Sequence, residues 1–453
     1  MKKISITSIA TLSLFAGAAA AAPGDLLAEL VPSTAATNDL FGNSISIDGD
    51  RVLVGSRGLN KAILFDITDP TAPSELRVYS SLSVYNVGFG ASVALEGSNV
   101  VISQEGGIEA GVPLFGVSYF NSSSSSLVHQ EIGDETRSLT AGSGVAISGT
   151  NVLVGESFGF ALDRYGDSNS TGVAWFTNAT NYAINIVDPL LAEISDSFGF
   201  SVDLTSSRAV VGAPNKYELG LLAGTVDVYS TAGVLQQSVI VTDPADRNFG
   251  DQFGFSVSIA ESSNYLLVGA PGDDEEETNA GAAYLYDLNT NSMVYKFAAS
   301  DAQSGDNFGY SVELTDQYAI VGAPKAAGPG SSDRGAVYIF DLTTGSEIVK
   351  IQPDNTTTSH FYQSFGSSID SSGSIFVVGA SDFFEDNGSA FVFSMMCNDA
   401  DLAEPFGVLN NFDVSAFTSA WSNNEASADL NGDGIWNFFD LSVFMISYSA
   451  GCP

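Results

Sequence analysis

The residues whose spacing most clearly suits chemistry lie near the C terminus. Asp429-Leu430-Asn431-Gly432-Asp433-Gly434-Ile435-Trp436-Asn437-Phe438-Phe439-Asp440 sets side-chain oxygens at positions 1, 3, 5, 9 and 12, with glycine at position 6. Hard oxygen donors on a tight glycine turn are what Ca2+ requires, and the Ile435 carbonyl serves at position 7. The other reading of these residues is an Asx-rich turn that ends in a helix cap. A second concentration of oxygens is Asp273-Asp274-Glu275-Glu276-Glu277. It reads either as a solvated charge run or as a cation site through Asp273 and Asp274. Asp251 and Asp306 each stand two residues before a Phe-Gly pair. Catalysis finds little footing. The two histidines, His129 and His360, have no motif around them, and no HExxH, nucleophile elbow, phosphate loop or CxxC occurs.

The whole chain is acidic, with 53 Asp and Glu against 15 Lys and Arg and a net charge of −38. Phosphate contacts need cations, so nucleic acid is excluded as a default partner. Divalent cations are the natural counterions, and an apolar content of 44% is enough for a large core. Met1-Lys2-Lys3, an apolar stretch over residues 4–18 and small residues up to Ala22-Pro23 read as a Sec-type leader. This places residues 1–22 in a signal peptide and predicts a secreted or cell-surface protein. No later stretch is long and apolar enough for a spanning helix, so no transmembrane anchor is expected. Cys397 and Cys452 are the only cysteines. An even count in an exported chain suggests that they pair, and two free thiols are the alternative.

The elements that must carry these residues repeat along the chain. Phe-Gly occurs at Phe41, Phe89, Phe198, Phe253, Phe308 and Phe365, and a worn copy, Ala141-Gly142, fills the long gap. About a dozen residues after each comes a second marker, clearest as Val211-Gly212-Ala213-Pro214, Val268-Gly269-Ala270-Pro271 and Val321-Gly322-Ala323-Pro324. The second unit has only Ile102-Ser103-Gln104 there. Each unit reads as four strands: an alternating one after Phe-Gly, a continuous apolar one, another alternating one and a more polar fourth. Four strands per unit of roughly 50 residues is the pattern of a propeller blade. The seventh unit stops after its third strand, and a strand-like segment, residues 26–32, precedes the first unit. The prediction is an all-β, seven-bladed propeller over residues 23–396, closed by residues 26–32 pairing beside residues 389–395.

These motifs resemble the FG-GAP repeats of integrin-α-type propellers. The resemblance implies that the Phe and Gly pack blade on blade and that Gly-Ala-Pro closes an inner strand. Integrin-type blades also carry an Asp-x-Asp-x-Asp-Gly calcium loop between the two markers. Here that interval is too short, and Asp48-Gly49-Asp50 is its nearest remnant.

Residues 397–453 form a separate module with two similar segments, Gly407–Phe417 and Gly434–Phe444. Apolar positions at 409, 412, 416, 417 and 436, 439, 443, 444 have helical spacing, which predicts two short antiparallel helices sharing an apolar face. The module resembles a dockerin, a small α-helical domain that pairs two EF-hand-like calcium loops and docks on a cohesin partner. The resemblance implies a firm Ca2+ site through Asp429, Asn431, Asp433, Ile435, Asn437 and Asp440. It implies a weaker one through Asp401, Asn410 and Asp413, because Phe406 replaces an oxygen ligand and Pro405 crowds the loop. Ser415 and Ser442, equivalent in the two halves, are candidates for the docking face.

The expected function is a secreted, non-enzymatic binding or adhesion protein. Its propeller would meet a surface ligand, protein or polysaccharide, and its tail would attach to a cohesin-like or envelope protein. The alternatives are an exported enzyme acting on polysaccharide or ester, with carboxylates converging in the central channel, and a structural matrix component.

Overall fold

A computed structural model of the chain describes residues 24–33, 39–81, 88–104, 108–109, 112–113, 116–132, 137–138, 144–156, 160–162, 168–169, 173–179, 185–187, 196–244, 246–327, 334–352, 364–381, 388–395, 411–423, 425–430 and 435–450. The leader, Ala141-Gly142, His360, both cysteines, Asp401, Asn410, Asn431 and Asp433 lie outside them. Gly24–Ser394 form one compact unit, and the chain from Met395 onward belongs to another.

The first unit holds seven four-stranded antiparallel sheets, the predicted blades. Blade 5 is typical: Ser256–Ile259, Tyr265–Ala270, Ala282–Asp287 and Ser292–Phe297 lie side by side in chain order. The continuous apolar run of its second strand is covered on both faces, and Leu266, Leu267 and Val268 are fully buried. The polar fourth strand is exposed at Ser292, Met293 and Val294. Between third and fourth strands a bulge recurs, at Leu64/Phe65, Tyr119/Phe120, Val228/Tyr229, Leu285/Tyr286 and Ile339/Phe340. Bulges at one place in successive blades add twist where the sheet opens outward.

Closure follows the sequence. Leu26–Leu30 pairs antiparallel with Ser389–Ser394 as fourth strand of blade 7, with Leu30 opposite Ala390. The leading strand thus covers an edge that would otherwise offer unpaired amides.

The two markers meet between blades. The Phe of each Phe-Gly pair is at most 1% exposed and lies edge-on to an aromatic of its own third strand, as in Phe308–Tyr338 at 5.4 Å. The Gly that follows has φ of +85° to +91° where backbone is close on both sides, for instance +87° at Gly309. A Cβ on Gly309 would meet the Ala282 carbonyl of blade 5 at 2.3 Å. A Cβ on Gly269, in the Gly-Ala-Pro of blade 5, would meet the Gly309 carbonyl of blade 6 at 1.9 Å. Gly212 with Gly254, Gly322 with Gly366, and Gly379 with Gly42 across the closure make the same contact. In blades 4 to 7 the Ser two residues after the Phe-Gly glycine ties the joint, as Ser256 Oγ donates to the Gly309 carbonyl (2.8 Å) and Ser368 Oγ to that of Gly42 (2.7 Å); in blade 1 Asn43 Nδ2 donates to the Gly90 carbonyl (3.0 Å) instead. In blade 2, where the second marker is lost, Ser103 takes the glycine position, and the next Phe-Gly is the worn copy.

Asp48-Gly49-Asp50 is a tight turn between Phe41–Asp48 and Arg51–Ser56. Asp48 is engaged by Arg51 (2.7 Å) and by the Gly97 N–H (2.8 Å).

In the second unit, helix α1 (Asn411–Asn423) and helix α2 (Phe438–Ala450) join through stacked rings, Phe417 on Phe444 at 4.2 Å. Ala420, Ala428, Trp421, Trp436, Leu441 and Tyr448 complete that core. The shared face differs from expectation at Phe439, which is 67% exposed. Asp440 is turned inward at the start of α2, so the buried row runs through 440, 441, 444 and 448. Phe439, one residue earlier, falls outside it.

Candidate functional site

Antiparallel blades send alternate connections to opposite faces of the ring. On one face the turns are short, as between Leu314 and Tyr318 or between Asp287 and Ser292. On the other lie the long ones, such as Ala213 to Thr225, Val239 to Ser256 and Ala270 to Ala282. Variable loops on a rigid ring are where binding residues belong.

Three of those loops join at blades 4 and 5. A small hairpin pairs Tyr217–Glu218 with Leu221–Leu222. The Gly250 N–H donates to the Leu222 carbonyl (2.9 Å), which fixes Phe249 beside the hairpin. A Cβ on Gly272 would meet the Gly250 carbonyl at 2.1 Å, so the acidic loop lies directly against the same segment. The result is one surface with apolar Tyr217 (58% exposed), Leu219 (61%) and Phe249 (71%) and acidic Asp274, Glu276 and Glu277. Sequence reasoning missed the apolar half, because isolated loop hydrophobics carry no periodic signal.

The run 273–277 is not uniformly solvated. Asp273 is 2% exposed; the four acids after it are exposed. Asp273 Oδ1 accepts the Glu275 N–H (3.0 Å), and Oδ2 accepts the Tyr284 hydroxyl (2.5 Å). The Lys296 ammonium reaches Asp273 (3.3 Å), Asp246 (3.5 Å) and Glu275, and sits 5.2 Å from the Tyr284 ring centre. Burial opposes the Lys296 charge, but Glu275, Asp273 and Asp246 outweigh it and raise its pKa. Burial, with Asp273 and Asp274 nearby, pushes Asp251 up to about 7 against its bond from Asn248.

Carboxylates also converge on the central channel, as the enzyme alternative requires. The first strands of all seven blades line a cavity of about 350 Å³ that includes Asp48, Glu96, Asp203, Glu313 and Asp370. Their bonds show what they do there. The Ile259 N–H donates to Asp203 (2.8 Å), the Ile47 N–H to Asp370 (2.8 Å) and the Gly149 N–H to Glu96 (2.6 Å). Serines act alike: Leu95 N–H donates to Ser46 Oγ and Leu314 N–H to Ser258 Oγ, both 3.0 Å. In each case the acceptor lies one blade before the donor. These side chains satisfy inner-edge amides that have no further strand to pair with. Glu313 accepts from Ser371 Oγ (2.7 Å) and Ser258 Oγ (3.3 Å), on the blades to either side. Desolvation pushes Asp203 up to about 6 and Asp370 up to about 7, and raises Glu313, helped by the Asp370 charge. His129 lies on the outer strand of blade 2 with its ring 5.8 Å from that of Tyr119.

In the C-terminal unit the described residues of the predicted calcium loop include Asp429, Ile435, Asn437 and Asp440. Asn437 Oδ1 accepts the Phe439 N–H (2.8 Å), and Asp440 accepts the Asn437 N–H (2.8 Å), a reciprocal cap at the start of α2. The helix-cap reading of the loop is thus realised. It does not compete with the calcium reading, because a carboxylate has more than one acceptor site. Asp413 and Asp440, equivalent in the duplicated Asp-x-Ser-x-Phe, are both fully buried. Residues 397–453 contain no Lys, Arg or His, so no cation of the module's own compensates them. Ser415 is exposed and Ser442 half-buried.

Residues 25–62, 236–286 and 292–340 match the FG-GAP repeat. Human integrin alpha-11 is 32% identical over 140 residues, which is 27% of this chain and 11% of that protein. The seven-bladed ring of Gly24–Ser394 thus carries FG-GAP repeats over these segments and is similar in part to an integrin alpha chain. Among the described residues, no helix is long and apolar enough to cross a membrane.

Proposed function

We propose that this chain is a secreted or cell-surface, non-enzymatic binding protein of adhesion type. The observation that carries the reading is the joined apolar and acidic surface of Tyr217, Leu219, Phe249, Asp274, Glu276 and Glu277 on the long-loop face. Exposed rings beside fixed charge suit a surface ligand, protein or polysaccharide. An integrin-like propeller supports a ligand platform of this kind, and the leader-like residues 1–22 support export.

The C-terminal module is the attachment device in this reading. It resembles a dockerin, and its buried Asp413 and Asp440 fit a calcium-bound state. Asp429, Asn431, Asp433, Asn437, Asp440 and the Ile435 carbonyl would hold the firm ion, which orders the loop ahead of α2. A cohesin-like or envelope protein is the partner. The channel carboxylates lend the enzyme alternative little weight, because their bonds bridge neighbouring blades.

The reading is tested by retention of the purified chain on surfaces coated with envelope protein or with polysaccharide. The double variant Leu219→Ser, Phe249→Ser should lose about tenfold or more on the ligand-bearing coat while melting like the parent. Equal retention of both proteins on every coat would overturn it, and depolymerisation of a coat would favour the enzyme.

A further inference from the structure

We propose that the loop face of blade 5 binds a divalent cation of the calcium class between Asp251 and Asp273, with Asp251 as its buried ligand. Asp251 is 2% exposed. Its Oδ2 accepts the Asn248 N–H (2.5 Å), but its Oδ1 has no hydrogen-bond partner. Buried acceptors in native proteins are nearly always met by a donor, a water or an ion. The Gly272 N–H donates to the Asp251 carbonyl (3.1 Å), and Asp273 follows at once, so the two buried aspartates are neighbours. The built-in cation makes its ion pairs elsewhere: Lys296 pairs with Asp246, Asp273 and Glu275.

The neighbouring blades supply a contrast. In blades 4 and 6 the residue whose N–H bonds the Ala of Gly-Ala-Pro, and whose carbonyl bonds the Gly before the third strand, is Lys216 and Ala326. In blade 5 the residue with those two bonds is Asp273. Asp306, the counterpart of Asp251 in blade 6, therefore faces no acid at that position. At that position blade 5 alone of these three carries a carboxylate. Among the described residues no group of three or more acidic, His or Cys side chains is placed to hold a metal. The cation would take these two carboxylates and complete its shell with water, which suits dissociation constants of about 10⁻⁴ to 10⁻³ M. The site differs in place from the short turn at Asp48-Gly49-Asp50, and it does not depend on what ligand the face carries.

Equilibrium dialysis of the full chain against Ca2+, with Tb3+ as a luminescent substitute, tests the site. Tyr284, bonded to Asp273, is the expected sensitiser. Asp251→Asn should bind one Ca2+ fewer per chain than the parent, whereas Asp433→Asn should lose a different equivalent. Lys296→Met, which removes a competing ammonium, should tighten the Asp251-dependent equivalent about fivefold or more. Unchanged stoichiometry in Asp251→Asn overturns the proposal. If that variant does not fold, unchanged affinity in Lys296→Met, or terbium emission insensitive to Tyr284→Phe, overturns it.

Discussion

At the scale of single residues, the propeller is spaced by glycines that touch across blades. The Gly269 Cα faces the Gly309 carbonyl so closely that an added Cβ would stand 1.9 Å from it and 2.2 Å from Ser256 Oγ. Backbone bounds the contact, so no side-chain rotation relieves it. Gly269→Ala should therefore cost about 3 kcal/mol or more, in the range of severe core substitutions. At Gly49, φ is +56° but nothing lies within 4 Å of the added carbon, so Gly49→Ala should cost only about 1 to 2 kcal/mol. Denaturant titration of both variants checks the contrast, and equal losses would show that blade spacing is set elsewhere. Phe-Gly and Gly-Ala-Pro were legible as markers because they recur in order. Their mutual contact was not, because it joins residues some 40 positions apart only once the ring is closed, as Gly269 and Gly309 show. The left-handed residue just before each Phe-Gly, Gln252 (φ +61°) or Asn307 (φ +56°), had no signal either, since its identity varies.

At the scale of elements, strands were easier to read than helix faces. Period-two alternation and the apolar second strands predicted the blades, and the spare leading strand predicted closure. The hairpin of Tyr217–Glu218 and Leu221–Leu222 was too short for any period to register. In the C-terminal module the helices are legible, but the spacing of 436, 439, 443 and 444 puts Phe439 on the shared face, whereas it is exposed. The inward turn of Asp440 decides that face, and it bears directly on calcium. A fully buried carboxylate at the start of α2, in a module without Lys, Arg or His, would gain from a cation in addition to its bond from the Asn437 N–H. Chelation should therefore loosen α2 and its stacked core. Trp436, whose indole N–H donates to the Glu425 carbonyl (2.7 Å), reports on this directly. With EGTA the tryptophan emission of the full chain should shift to the red, and Asp429→Asn should behave like chelated parent protein. Emission and melting indifferent to chelator would remove the calcium assignment.

At the scale of the whole molecule, the ring gathers charge that it does not neutralise. The net charge is −38, and the first strands bring Asp203, Glu313 and Asp370 from three blades into one channel. Desolvation raises all three, Asp203 to about 6 and Asp370 to about 7, above their values in an unfolded chain. Groups of this sign take up protons more readily when folded, so their contribution to stability is full below about pH 4 and is lost as pH rises through about 6 to 7. Turn aspartates act in the opposite sense. Asp66, Asp69 and Asp287 are lowered, the first two chiefly by bonds from Thr68 and Thr71 and the third by the bond from Asn289. Their stabilisation is present above the unfolded pKa and is lost as pH falls through the folded one. The propeller should therefore be most stable in mildly acidic solution, an unusual optimum for so acidic a chain. General repulsion among surface carboxylates would give the same trend, but salt distinguishes the causes. At about 1 M salt the screening length is about 3 Å, which suppresses repulsion between surface charges and leaves bonded channel groups largely unaffected. With EGTA present to remove any bound divalent cation, the propeller should melt several degrees higher at about pH 5 than at about pH 8, and most of that difference should survive about 1 M salt. A difference that vanishes with salt would assign the effect to surface charge and leave the channel acids as neutral mortar between blades.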